Sequence, residues 1–419
     1  MKKILNNTFF KSIITLTTGS VLAQLISFVA APIMTRLYST DEIGLYTLIL
    51  TSVTMFGGVL CGRYDISIVT SKKEDDVFSL IKLSFFISVI SSIVISLGFF
   101  IYYYNVDNSD VPYFLVVGFI FVLLFTTGIN NILISFNNRN KEYKLMTSVQ
   151  VVRTFGKEFS MTSLGLLNTG SIGLLISQII GQILGLNRQS KSLKKYITKI
   201  LSVSKTNMLK VAKLYIKQPL YSVPAIFANN FSYSSINLFV GYLFGLTTLG
   251  YYAISFKILG LPLGVISNNV SKVFLEKASR EYDATNQYKS TFLKTSFFLL
   301  LIAIPMVICM IILAPPVFRW LFGEGWEVSG QYVKILAPMF GIRFIVSPLT
   351  IGMIISNKQK FELLIQILFM LISVIGFVIT LFANFTIEQY LLFISISFSI
   401  VYILYYLLLL KFSRNTLNI

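Results

Sequence analysis

Histidine is absent from this 419-residue chain, and cysteine occurs only twice. The absence of histidine excludes an imidazole base, a histidine metal ligand and a Ser-His-Asp triad. Cys61 and Cys309 lie in different apolar stretches, so they predict small packing groups and neither a disulfide nor a zinc site. No phosphate-binding loop of the form G-x-x-x-x-G-K-[ST] occurs either. The chain is therefore predicted not to be an enzyme and to need no cofactor or metal.

Charge is also scarce. Only 12% of the residues are charged, 55% are hydrophobic, and the mean hydropathy is +0.77. A soluble domain of this length cannot bury so much apolar surface, so the composition predicts an all-α integral membrane protein.

Twelve apolar stretches are each long enough for a membrane helix, which needs about 20 residues. They lie at approximately residues 10–35, 42–70, 77–104, 112–136, 143–167, 171–187, 216–241, 248–271, 292–314, 330–356, 361–383 and 388–410. The connections between them are short, so no large domain outside the membrane is predicted.

One sequence signature occurs twice, 206 positions apart. It reads LYSTDEIGLY at residues 37–46 and LFGLTTLGYY at residues 243–252. Two related halves are typical of secondary transporters. We therefore predict two pseudo-symmetric six-helix lobes, residues 1–187 and 216–419, around a central cavity, with a basic cytoplasmic linker at 188–215.

Lysine and arginine cluster before the first apolar stretch and after every second one, as the positive-inside rule requires. The clusters are Lys2, Lys3 and Lys11; Lys72 and Lys73; Arg139, Lys141 and Lys144; the run from Arg188 to Lys217; Lys272, Lys277, Arg280, Lys289 and Lys294; Lys358 and Lys360; and Lys411 and Arg414. Both termini are therefore predicted to face the cytoplasm.

The net charge of +18 is explained by this topology, and no nucleic-acid partner is predicted. The basic run 188–217 has two interpretations: a simple linker, or a segment that touches anionic headgroups.

Several charges lie inside the apolar stretches, where a charged side chain is costly and points to function. Arg153 and Lys157 are four residues apart, so they share a helix face, with Glu158 beside them; Lys257 and Arg343 have no acidic neighbour in their own stretches. Arg63 can instead pair with Asp65 or extend to the headgroups. This excess of positive charge predicts an anionic substrate.

A polar cluster marks the seventh stretch and includes Asn229, Asn230, Tyr233 and Asn237. Amide and hydroxyl groups suit contacts with sugars, but they also serve helix packing in membranes. Prolines at 32, 219, 224, 262, 305, 338 and 348 are predicted to bend or interrupt several helices.

Two segments carry a resemblance to a known family. PIMTRLYSTDEIGLY at residues 32–46 resembles the first-loop signature of Wzx-type polysaccharide flippases, which belong to the multidrug, oligosaccharidyl-lipid and polysaccharide exporter superfamily. LFGEGWE at 321–327, followed by Tyr332 and Leu336-Ala337-Pro338, resembles that family's junction between spans nine and ten. The resemblance extends over essentially the whole chain.

The resemblance implies a flippase that moves undecaprenyl-diphosphate-linked oligosaccharide repeat units from the inner to the outer leaflet of the bacterial cytoplasmic membrane. Such a flippase would work by alternating access and would supply repeat units for O-antigen, capsule or exopolysaccharide assembly. Its partners would be the lipid-linked oligosaccharide, membrane lipid, and the polysaccharide polymerase and chain-length machinery. Family cavities are lined by basic residues, which implies a diphosphate site here made by Arg153, Lys157, Lys257, Arg343 and Arg63.

Two other functions remain open at the level of sequence. Another lipid or drug exporter of the same superfamily would share the two-lobe fold, although a carboxylate-lined cavity suits cationic drugs better than this positive interior. A membrane glycan polymerase would have a similar number of spans, but such enzymes usually need a large external loop, and none is predicted here.

Overall fold

The described chain is helical throughout. The structure, a computed structural model, describes residues 8–106, 111–356 and 358–414, and no β-strand occurs among them. The α-helices, in chain order, are α1 Thr8–Leu37, α2 Thr40–Gly57, α3 Tyr64–Thr70, α4 Glu74–Val106, α5 Tyr113–Arg139, α6 Tyr143–Leu166, α7 Gly170–Ile183, α8 Leu186–Gln189, α9 Lys191–Lys194, α10 Ile197–Ser202, α11 Lys205–Leu214, α12 Val223–Pro262, α13 Asn268–Thr285, α14 Lys289–Phe322, α15 Glu327–Val346, α16 Gly352–Ile355, α17 Gln359–Ala383 and α18 Ile387–Arg414.

The all-α membrane fold predicted from composition is confirmed. In the described part of the chain, nine helical stretches are long and apolar enough to cross a membrane, and one of them, Gln218–Thr285, is 68 residues long. Helices lie on all twelve predicted apolar stretches, including the second and fifth, which fall outside those nine. Lys2 and Lys3 of the first basic cluster lie outside the described residues.

The chain forms two compact units, Met1–Ser234 and Ser235–Ile419, whose boundary falls within α12. In the first unit α1 packs along α6, and α4 packs along α5. In the second unit α14 packs along α15, which also contacts α18. The predicted lobe limits at residues 187 and 216 stay a prediction.

Both copies of the repeated signature form a helix-to-helix break at the same place. In the first copy α1 ends at Leu37, and Ser39 caps α2: its Oγ accepts from Glu42 N, while Ser39 N donates to the Glu42 carboxylate. This reciprocal capping box satisfies two backbone donors. Gly245 stands 206 positions after Ser39 and interrupts α12 with φ 82° and ψ 175°, a conformation that favours glycine. The repeat therefore encodes a break between helices.

Three of the predicted proline distortions are present. Pro219 lies in a π-helical turn, Gln218–Ser222, and Pro262 precedes another, Leu263–Ser267. Pro348 lies in the 3-10 turn Ser347–Leu349. Such turns accommodate the backbone groups that proline releases inside a bilayer.

The segment from Lys191 to Tyr215 belongs to the first unit and packs against its helices α3, α4 and α5. Tyr64 Oη donates to the carbonyl of Ala212 at 3.1 Å, and Lys82 Nζ donates to the carbonyls of Leu201 and Val203 at 2.8 and 2.7 Å. Lys82 thus satisfies carbonyls at the end of α10, which a helix terminus otherwise leaves without partners. Apolar side chains of the segment, including Leu193, Tyr196 and Ile200, pack on the cluster formed by α3, α4 and α5.

The topology predicted from the basic clusters can be tested with reporter fusions. Fusions after Asn140, Asn286 and Lys358 should report the cytoplasm, and fusions after Asn168, Glu324 and Thr386 should report the outside, because lysine and arginine are retained on the cytoplasmic side. Alkaline phosphatase and green fluorescent protein activities give the two readouts. Cytoplasmic signals at Asn168 and Glu324 would contradict the topology.

Candidate functional site

Arg63 lies at a break between α2 and α3, in the last third of the second predicted span. Gly62 and Arg63 both have left-handed backbone conformations, with φ values of 58° and 61°. A non-glycine residue in this region is strained, and such strain is concentrated at functional sites and turns. Arg63 is half-buried, and its Nη1 donates to the carbonyl of Gly58 at 3.5 Å.

Side-chain amides satisfy two more carbonyls near this break. Asn131 Nδ2 donates to the carbonyl of Gly57 at 2.7 Å, and Asn230 Nδ2 donates to that of Met55 at 3.4 Å. Asp65 is buried, and no described ion pair within 4 Å joins it to Arg63. A polar cluster of Arg63, Asp65, Asn131 and Asn230 therefore surrounds the broken helix.

The other polar residues predicted on the seventh span share one face of α12 with Asn230. Asn229, Tyr233 and Asn237 are spaced four residues apart, and Asn230 precedes Tyr233 by three residues; Asn229, Tyr233 and Asn237 are half-buried. Asn230 thus has a structural role at the break, whereas a sugar contact by the face as a whole remains a prediction.

The Arg153 guanidinium is held by three acceptors in the first unit. Its Nε donates to the carbonyl of Leu184 at 2.9 Å, and its Nη2 donates to Asn130 Oδ1 and Gln189 Oε1 at 2.6 and 2.8 Å. These bonds join α6 to α5 and to the turn after α7. Arg153 therefore fixes the relative positions of three helices, with Nη1 the guanidinium nitrogen that has no hydrogen bond among the described residues.

Lys157 lies one turn further along α6, and its surroundings differ. Its Nζ forms an ion pair with Glu158 Oε1 at 2.7 Å, and that oxygen also accepts from Ser27 Oγ of α1 at 2.7 Å. The Lys157 side chain is 25% exposed, whereas that of Glu158 is 5% exposed. Although Lys157 and Arg153 share a helix face in sequence, they bind different groups.

Arg343 lies near the middle of the 29-residue stretch Glu327–Ile355 of the second unit. Its guanidinium carbon is 5.5 Å from the centre of the Phe340 ring, and that ring packs edge-on against Phe256 at 5.4 Å. A cation over an aromatic face is stabilised by the ring quadrupole. Lys257 follows Phe256 directly on α12 and is half-buried, like Arg343. The structure thus brings an arginine and an aromatic group together at mid-span.

The tyrosine at the end of each repeated signature was not among the predicted site residues. Tyr46 is half-buried in the first unit, donates to Gln178 Oε1 at 2.9 Å, and lies within electrostatic reach of Lys157 and Glu158. Tyr252 is 1% exposed in the second unit, within electrostatic reach of Arg343. Their shared register in the repeat was the signal that could have identified them.

The predicted cations therefore occupy separate environments. Arg63 lies at a helix break, Arg153 in a hydrogen-bonded junction, Lys157 in an ion pair with Glu158, and Arg343 over the Phe340 ring. Among the described residues, no group of three or more cysteine, aspartate or glutamate side chains could hold a metal ion. The chemistry that these groups offer is binding of anions and hydroxyl groups.

Three comparisons with known proteins bear on this arrangement. The amylovoran biosynthesis protein AmsL of Erwinia amylovora is 24% identical over 127 residues, which are 30% of this chain and 32% of that protein. The chain thus matches about a third of the length of that curated relative.

Two solved structures share the fold. The lipid II flippase MurJ in an inward closed conformation has a TM-score of 0.73 at 16% identity, covering 97% of this chain and 90% of that chain. A multidrug resistance MATE family transporter of the MOP superfamily, inward-facing, has a TM-score of 0.71 at 12% identity, covering 95% of this chain and 94% of that chain.

A model of the family described as polysaccharide biosynthesis protein matches residues 33–331. This region contains both copies of the repeat and the whole glycine-rich turn before α15. The match covers well over half of the chain, and the chain is therefore a multi-pass membrane protein of the polysaccharide biosynthesis protein family.

Proposed function

We propose that this protein is a flippase that moves undecaprenyl-diphosphate-linked oligosaccharide repeat units from the inner to the outer leaflet of the bacterial cytoplasmic membrane. The observation that carries the proposal is the family match over residues 33–331, on a fold shared with a lipid II flippase. The product would be O-antigen, capsule or exopolysaccharide.

Physical chemistry supports the need for such a protein. Moving a sugar hydroxyl into hydrocarbon without a partner costs about 2–7 kcal/mol, so an oligosaccharide headgroup does not cross a bilayer unaided at a useful rate. The protein would supply polar partners for the headgroup while the isoprenoid tail stays in the lipid. No covalent step is required of any residue.

The proposed site uses the mid-span cations for the diphosphate. In the first unit, Lys157, Arg63 and Nη1 of Arg153 would bind phosphate oxygens, and in the second unit Lys257 and Arg343 would do so. Asn229, Asn230, Tyr233 and Asn237 would contact sugar hydroxyls, while Glu158 would orient Lys157 and the Phe340 ring would orient Arg343. Each negative charge moved outward gains about 2.3 kcal/mol per 100 mV of inside-negative potential, so export needs no ATP.

A drug or lipid exporter is the second candidate, because the MATE family transporter and MurJ have similar TM-scores to this chain. The fold therefore does not distinguish a glycan flippase from a drug or lipid exporter. The excess of mid-span cations over carboxylates favours an anionic substrate, as electrostatic complementarity predicts.

Deletion of the gene tests the proposal in a strain that makes a surface glycan. Lipid-linked single repeat units should accumulate in the inner leaflet, because the headgroup has no other polar route across. Radiolabelled lipid extracts measure the accumulation, and an impermeant sugar oxidant distinguishes the two faces of the membrane. Restoring the wild-type gene is the control. Unpolymerised units exposed on the outer face would instead indicate a polymerase.

A further inference from the structure

A groove with a volume of about 590 Å³ lies in the first unit, between α4, α5 and the short helices α8 to α10. Phe85, Phe86 and Ile129 form part of one wall, and Ile197 and Leu201 form part of the opposite wall. Phe85, Phe86, Ile197 and Leu201 are exposed. The groove therefore presents apolar surface that no described part of the chain covers.

Polar groups are also part of its lining. Lys194, Asn187, Ser190 and Lys82 contribute to the walls, and no carboxylate is among the described residues that do. Lys194 Nζ donates to Asn187 Oδ1 at 2.5 Å, and Lys82 Nζ uses two of its donors on the carbonyls after α10. An ammonium group carries three donors, so both lysines keep donors for a phosphate oxygen.

The apolar wall continues along α4 into a long exposed stripe. Phe86, Ile90, Leu97 and Ile101 are 48%, 61%, 59% and 68% exposed, and their spacing places them on one helix face. In a membrane-spanning helix such a face lies against lipid chains. The groove thus opens towards the lipid phase. Lys194 belongs to the basic run predicted to lie on the cytoplasmic side, and Lys82 lies near the start of α4, which follows the predicted cytoplasmic pair Lys72 and Lys73.

We propose that this groove binds one anionic glycerophospholipid of the cytoplasmic leaflet. An acyl chain lies between the phenylalanines of α4 and Leu201 of α10, and Lys194 and Lys82 hold the phosphate. Basic side chains beside a bilayer attract anionic headgroups, and the apolar walls add burial of the chain. The bound lipid joins α8 to α10 to the wall formed by α4 and α5. This lipid is distinct from the transported one.

Native mass spectrometry of the purified full-length protein tests the site. The protein in neutral detergent is mixed with phosphatidylglycerol or with phosphatidylcholine of identical acyl chains. One phosphatidylglycerol should be retained severalfold more tightly than phosphatidylcholine. Lys194→Gln should weaken that binding about fivefold, since one lysine near a membrane surface contributes about that factor. Lys205→Gln, an equivalent change at an exposed lysine of α11 outside the groove, should leave it unchanged.

A second pair of variants tests the apolar wall. Leu201 and Leu209 are 68% and 63% exposed, but only Leu201 lines the groove. Leu201→Glu should abolish retention of phosphatidylglycerol, because a carboxylate enters the groove and repels the phosphate. The Leu209→Glu variant should still bind phosphatidylglycerol. Thermal unfolding without lipid checks that both variants are folded.

Three results would overturn the inference, and none depends on whether the protein transports glycans. The first is that phosphatidylcholine binds as tightly as phosphatidylglycerol. The second is that Lys194→Gln binds phosphatidylglycerol as tightly as Lys205→Gln does. The third is displacement of phosphatidylglycerol by an equal concentration of an isoprenyl diphosphate, which would assign the groove to the transported lipid.

Discussion

Glutamine in place of Arg343 should reduce the rate of glycan export about tenfold to a hundredfold, whereas lysine at this position should retain part of it. Hydrogen bonds to charged groups contribute about 1.5–3 kcal/mol each, and loss of that stabilisation in the rate-limiting step changes a rate by about these factors. Lysine keeps the positive charge but replaces a planar fork by a point charge, which weakens bidentate phosphate contacts. The measurement is the rate at which new glycan appears on the cell surface at equal expression.

A matched control is available on the same unit. Arg319 is 61% exposed and pairs with Glu324 and Glu327 at 3.6 and 3.4 Å, so Arg319→Gln removes an arginine charge without changing a mid-span cation. Export should stay near the wild-type rate. Lys257→Gln should lower export as Arg343→Gln does. Normal surface glycan in both Arg343→Gln and Lys257→Gln would mean that the two side chains are structural, and the cationic mechanism would be wrong.

Alanine in place of Gly330 should destabilise the second unit strongly. A Cβ at this position would lie 2.5 Å from Pro315 Cα, 2.8 Å from Pro315 N and 2.9 Å from the carbonyl carbon of Ala314. These atoms belong to the backbone of α14 and cannot rotate away. The two helices would have to separate, and overpacking of this kind costs about 1–3 kcal/mol or more. A lower midpoint of thermal unfolding in detergent is the expected result.

Gly118 provides the control for this substitution. It lies in α5, and a Cβ built there meets no described atom within 4 Å. Gly118→Ala should leave the midpoint unchanged or raise it, because alanine is favoured over glycine in helices by about 1 kcal/mol. If Gly330→Ala and Gly118→Ala unfolded at the same temperature, close contact between α14 and α15 would not contribute to stability.

The helices themselves were predictable because their causes are local. Apolar runs of the required length identified all twelve stretches. Of the seven prolines predicted to distort helices, two lie in a π or 3-10 turn and a third, Pro262, directly precedes one. The repeat predicted two related halves, and its two copies form breaks at equivalent positions, Ser39 and Gly245. The break between Gly58 and Arg63 was not predicted, because its carbonyls are satisfied by Asn131 and Asn230 from distant parts of the chain.

The candidate site was predictable only as a set of residue types. Sequence position indicated that Arg153 and Lys157 lie within a span and share a helix face. It could not indicate that Arg153 binds Leu184, Asn130 and Gln189, since those acceptors come from other helices. Sequence position likewise could not indicate that Tyr46 donates to Gln178 of another helix, although its register with Tyr252 was visible in the repeat.

The amino-acid sequence by itself determined the membrane class, the helical fold and the charge of the spans, because hydropathy, helix length and residue charge are properties of short segments. Tertiary structure alone decided which cations bind protein groups, and that residues 191–215 pack against α3, α4 and α5. Those outcomes depend on contacts between residues far apart in the chain, such as Lys82 with Leu201. Such partners are selected by three-dimensional packing, and no local sequence pattern predicts them.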